Sequence, residues 1–128
     1  MKFAKIMMAA AMAAGTMFMT TGCGESPSGA FNRLNRAIDN GDLNTVNKYS
    51  EMKFTQQMLD EARHSRNFTN SSGEKCRLEY KAEKEEIDGD SAVVTFQLVK
   101  YINDKEVDKE LIRMKFRKTD GIWKVAAN

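Results

Sequence analysis

Along residues 28–40, apolar side chains recur at Phe31, Leu34 and Ile38, with Ala30 and Ala37 beside them. That spacing places them on one stripe of an α-helix. Ser28 stands where it can cap the start of this helix, and Gly41 where it can end it. Asp42 opens a second, shorter helical segment, in which Leu43, Val46 and Tyr49 follow at three-residue steps. Ser50 is the next candidate cap. Phe54, Met58 and Ala62 then fall at i, i+4 and i+8, and Leu59 widens their stripe. Residues 65–73 have no period and hold mostly Ser, Asn, Thr and Gly around Phe68, which predicts a loop.

After the loop the period changes from 3.6 to 2. Cys76, Leu78, Tyr80 and Ala82 alternate with charged residues from Lys75 to Glu83, as in a half-buried strand. The stretch Ile87-Asp88-Gly89-Asp90 carries an Asp-Gly turn signal. Residues 92–102 form the most apolar run. Ala92, Val94, Phe96 and Leu98 share one face, and Val93, Val99 and Tyr101 lie on the other. A strand apolar on both sides is central, or bent so that different parts bury different faces. A turn at Asn103-Asp104-Lys105 leads to a strand with Ile112, Met114 and Phe116 on one face. A turn at Thr119-Asp120-Gly121 then leads to the closing strand 122–125, where Trp123 and Val125 share a face. The prediction is an α+β domain: two or three N-terminal helices followed by, and packed on, a four-stranded antiparallel sheet.

Residues 1–22 stand apart. They hold Lys2 and Lys5, no acid and 15 apolar residues. The apolar stretch is short of the ~20 residues that span a bilayer comfortably, and it suits a secretory leader. The leader closes on Thr20-Thr21-Gly22-Cys23, which resembles a bacterial lipobox, with Thr20 in place of the usual leucine-like residue. The expected product is a lipoprotein acylated at Cys23 with diacylglyceryl and palmitate-type chains. Two or more chains suffice for stable anchoring. A secreted protein with a free Cys23 is the alternative. Residues 23–27 read as the lipidated cysteine and a short tether, and residues 28–128 as one domain. Gly24, rather than an aspartate, follows the cysteine. The expected location is therefore the cell envelope of a bacterium, on the outer membrane facing the periplasm.

Charge narrows the partners. The chain has 20 basic and 18 acidic residues; Lys2 and Lys5 belong to the leader, which leaves 18 against 18. The mature part has no basic excess, so nucleic acid is not an expected partner. Cys76 sits in an alternating apolar pattern and reads as a small buried hydrophobe.

Three features in order carry a resemblance: the helix ending in Asn40-Gly41-Asp42-Leu43, the strand from Ala92 to Val99, and Gly121-Ile122-Trp123-Lys124-Val125. Together they resemble small exported domains of the nuclear-transport-factor-2-like superfamily, with the cone-shaped, cystatin-like α+β fold, and in particular bacterial lipoprotein domains with no assigned function. The likeness covers about residues 28–126. It implies a strongly curved sheet wrapping the helices. It also implies a cone cavity, which some members use for isomerase or dehydratase chemistry and others for binding alone.

An enzyme of that kind needs a carboxylate base inside the cone. The apolar faces of the predicted strands offer none, although Glu110 precedes Ile112 on the same face and could stand at the mouth. Glu110 and Tyr80 are the candidate catalytic groups. The plainer readings are a solvated strand end and a packing tyrosine. Tyr80, Tyr101 and Trp123 are the candidates for contact with a ligand, again with packing as the plainer reading. His64, the only histidine, lies near the end of the third helix without companions at metal-ligand spacing, so no metal or cofactor is expected. The favoured function is a membrane-anchored, non-enzymatic domain that binds a small apolar ligand or a protein partner. An isomerase- or dehydratase-like enzyme and an envelope assembly protein are the alternatives. The apolar residues Val93, Val99 and Tyr101 on the second face of the central strand suggest a homodimer through the sheet.

Overall fold

The computed structural model describes residues 24–127, and the leader with Cys23 lies outside them. Helix α1 runs from Pro27 to Asn40. The first turn has partners for the backbone donors that a helix leaves unpaired at Ser28 and Gly29. Pro27 has no N–H. The Ser28 N–H donates to Glu85 Oε1 at 2.8 Å, and the Gly29 N–H donates to the Ser26 hydroxyl at 3.0 Å. The Ala30 N–H makes the first helical bond, to the Ser26 carbonyl. The cap is therefore Ser26 and not Ser28, because Pro27 suits the first helical position and sets the start two residues earlier. At the other end Gly41, at φ 72°, closes the helix as expected. The Gly41 and Asp42 amides return to the carbonyls of Ile38 and Ala37.

Helix α2, Leu43–Lys48, is capped by Asp42. The Thr45 hydroxyl and amide bond to the Asp42 carboxylate and hold it below the ordinary carboxyl range. Helix α3, Gln56–Arg66, is capped by Thr55. Ser50 does not start it. The chain from Tyr49 to Glu51 instead docks along the last strand, with the Val125 N–H on the Tyr49 carbonyl and the Glu51 N–H on the Val125 carbonyl, both at 2.9 Å. Among the described residues, no helix is long and apolar enough to cross a membrane.

The sheet has five antiparallel strands in sequential order: β1 Asn67–Thr69, β2 Lys75–Asp88, β3 Ser91–Ile102, β4 Lys105–Thr119 and β5 Ile122–Val125. It is curled into a half-barrel compatible with a cone. The expected count of four missed β1. Those three residues lie in the stretch read as a loop, and only Phe68, paired with Cys76, is shielded from solvent. β2 and β4 also extend well past their alternating parts. The β3–β4 and β4–β5 connections are two-residue turns with both positions at positive φ, Asn103-Asp104 and Asp120-Gly121. That is the geometry which matches strand twist.

The inner face is built in register. Phe96 lies between Ala82 and Ile112, Val94 between Glu85 and Met114, and Ala92 between Ile87 and Phe116. Against it pack Phe31, Leu34 and Ile38 from α1, together with Val46, Tyr49 and Leu59. Leu59, fully buried, takes the place expected of Met58, which stays at the margin.

Two expectations about facing need correction. β2 contains a bulge between Ala82 and Lys84, so Glu83 is an extra residue. Beyond it the parity of the strand reverses and Glu85 turns inward, where it is 2% exposed. Val99 was expected to stay partly wet on the outer face. It is 2% exposed within the single chain. Its cross-strand neighbours are Glu79 and Lys109, and Arg77 lies over the Tyr101 ring at 4.2 Å, so the stems of long polar side chains shield it. Cys76 is buried, as its pattern indicated.

Candidate functional site

Where α1, the connector 49–55 and the sheet do not close on one another, a cavity of about 220 Å³ remains. Its walls come from Phe31, Leu34 and Ile38 on α1, Phe54 on the connector, and Tyr80, Met114 and Val125 on three strands. Phe54 is held in place by the side chain of Asn47. The Phe54 N–H donates to Asn47 Oδ1 at 2.6 Å, and Asn47 Nδ2 donates to the Phe54 carbonyl at 3.2 Å. Met52, at the rim, is 50% exposed.

One charged residue, Arg66, stands on this wall. It ends α3, and its side chain is only 11% exposed. The guanidinium lies over the Tyr80 ring, 4.1 Å from its centre, in a cation–π arrangement. The edges of the guanidinium turn to α1. Nη2 donates to Asn35 Oδ1 at 2.6 Å, and Nη1 to Asp39 Oδ1 at 3.2 Å. Asn35 is itself oriented by a bond from Nδ2 to the Phe31 carbonyl. Arg66 thus joins α3, α1 and β2 at a single point.

Outside Arg66 the surface changes character. A cleft of about 660 Å³ lies between α3 and the margin of β2, lined by Arg63, His64, Arg66 and Arg77 together with Asp39, Asp60 and Glu79. It is the larger space, but it is open and ionic, and Arg77 pairs with Glu79 within it. The apolar cavity is the one shaped for a small organic molecule. Arg66 borders both.

The residues singled out from sequence fall in different places. Tyr80 lines the apolar cavity and packs against Phe96, with ring centres 5.7 Å apart. Tyr101 lies on the outer face under Arg77. Trp123 is buried in the core at 3% exposure, and its indole N–H has no partner among the described residues. Glu110 is on the inner-face register opposite Leu98 but stands in solvent. His64 is exposed beside Phe68. Cys23 lies outside the described residues. Among the described residues, no three His, Cys, Asp or Glu side chains converge as metal ligands.

Two functional positions escaped the sequence. Glu85 is an acid on the inner face, hidden by the bulge. Its Oε1 accepts the Ser28 N–H, which places the carboxylate at the positive end of α1. It does not line the apolar cavity. Arg66 read as an ordinary cation at a helix end. Its partners lie 27 and 31 residues away, beyond any local signal. Compared with known proteins, the chain matches no protein family, no curated protein and no solved structure.

Proposed function

We propose that this chain is an exported, lipid-anchored domain of the nuclear-transport-factor-2-like cone type that binds a small apolar ligand and performs no chemistry on it. Acylated Cys23 would hold it on the outer membrane, facing the periplasm. The observation that carries the ligand reading is the cavity of about 220 Å³ under α1, walled by aliphatic and aromatic side chains. A dry apolar cavity of about 150 Å³ already takes up benzene. The non-enzymatic reading is supported by where the acids stand. Glu110 is solvated, and Glu85 is engaged by the helix it caps. Neither lies within the cavity as a base within reach of a bound molecule would.

The test uses residues 24–128, which hold every described element and the whole core. 1-Octanol should shift the methyl resonances of Leu34, Ile38 and Met114 in a saturable titration. Met114→Trp, which projects an indole into the cavity, should abolish saturation while the circular dichroism stays that of a folded domain. Shifts that scatter over the surface without saturating would remove the ligand reading. Anchoring is tested separately. Intact-mass analysis of protein extracted from membranes should show acylated Cys23, and Cys23→Ser should release the protein; an unmodified Cys23 in that extract refutes the anchor.

A further inference from the structure

We infer that the ligand of this cavity is an amphiphile with a carboxylate head, its tail among Phe31, Leu34 and Met114 and its head on Arg66 at the rim. This rests on the apolar-ligand reading and adds the chemical class. A cavity of about 220 Å³ has room for a tail of roughly six to eight carbons, on the scale of the benzene-binding cavity of about 150 Å³. Arg66 lies where such a tail would end. It borders the apolar cavity, the ionic cleft and a third groove along β2, so its guanidinium sits at the boundary between apolar wall and open water.

The partners of Arg66 show what the rim accepts. A guanidinium offers five N–H donors and no acceptor. The described bonds run from Nη1 to Asp39 Oδ1 and, at 3.5 Å, to the Asn35 carbonyl, and from Nη2 to Asn35 Oδ1. They leave the Nε–H uncommitted among the described residues. The pair with Asp39 is lopsided: the Arg66 side chain is 11% exposed and that of Asp39 is 61% exposed. Asp39 thus reaches in from solvent to supply a carboxylate to a cation fixed by the Tyr80 ring and Asn35. An ion pair so exposed on one side contributes little stability. A ligand carboxylate can take the place of Asp39 at Nη1 with no change of charge at Arg66, through a charge-assisted hydrogen bond of the same kind. Asp39 then swings fully into water, and the tail fills the cavity.

The experiment compares octanoate with 1-octanol on residues 24–128, at concentrations where neither forms micelles, by calorimetry and by the same methyl resonances. Octanoate should bind at least tenfold tighter than 1-octanol. Arg66→Gln should erase that difference, bringing the octanoate and 1-octanol affinities together, whatever its effect on 1-octanol alone. Asp39→Asn, which removes the competing carboxylate, should tighten octanoate several-fold and leave 1-octanol unchanged. If Arg66→Gln does not fold, the Asp39→Asn comparison alone decides. Equal or tighter binding of 1-octanol, or an Asp39→Asn effect of the same size on both ligands, overturns the carboxylate inference while leaving the apolar site intact. Binding of neither ligand overturns both readings.

Discussion

Phe96→Ala should lower the unfolding free energy by about 3–5 kcal/mol, the range for truncating a fully buried aromatic. Phe96 is 2% exposed at the centre of the inner face. Its ring lies 4.7 Å from that of Phe31 and 5.7 Å from that of Tyr80, so one stack joins α1 to β3 and to β2. Such a stack adds about 0.5–1.5 kcal/mol beyond buried area. Single domains have only about 5–15 kcal/mol in total. The variant should therefore unfold at much lower urea, with an unchanged slope. Phe96→Leu, which retains most of the volume, should lose far less. A loss below about 1 kcal/mol for the alanine variant would mean that Phe96 does not face the helices.

Glu85→Ala should cost about 1–3 kcal/mol for a different reason. It leaves the Ser28 N–H without its partner in a partly buried setting, and an orphaned donor there carries a desolvation penalty. It also removes a negative charge from the positive end of α1, a term of about 0.3–1 kcal/mol. Glu85→Gln retains an acceptor oxygen and should lose less. Amide exchange at Ser28 should quicken in the alanine variant, while amides in the last turn of α1 stay protected. Unchanged stability together with unchanged exchange at Ser28 would show that Glu85 does not hold the Ser28 N–H.

These two residues also mark what could and could not be read from the chain. Phe96 was legible because Ala92, Val94, Phe96 and Leu98 recur at period two, and the polar Thr95 and Gln97 on either side of Phe96 mark the other face. The stripe of Phe31, Leu34 and Ile38, and the stop at Gly41, were legible because helix period and cap chemistry are both local. Glu85 was not. It sits in the run Glu83-Lys84-Glu85-Glu86, four charged residues in which a change of parity leaves no trace. The bulge that turns Glu85 inward is a property of the pairing with β3, and pairing is not written into one strand. The first part of β4 was illegible because Lys105 to Glu110 is exposed throughout and has no apolar member to set a phase except Val107, itself 52% exposed. β1 was too short to show a period. Of the site, Tyr80 was visible as an aromatic on an apolar face. Arg66 was not, because its burial depends on Asn35 and Asp39 in another helix.

The early start of α1 sets a limit on movement. Ser26 caps the helix, and Glu25 is tied to Arg33 on the same helix. If Cys23 is acylated as proposed, Gly24 is, among the described residues, the link between lipid and fold that no side-chain bond restrains, a slack of about 3.5 Å. From Pro27 to the Asn35–Asp39 turn that holds Arg66, α1 rises about 12–18 Å at 1.5 Å per residue. The opening of the cavity is thus leashed within a few tens of ångströms of its own bilayer, however the domain leans. An acyl-chain ligand would be drawn from, and returned to, the thin layer of solvent over that one leaflet. The protein would act as a fixed post at the lipid surface and not as a ferry across the space between membranes.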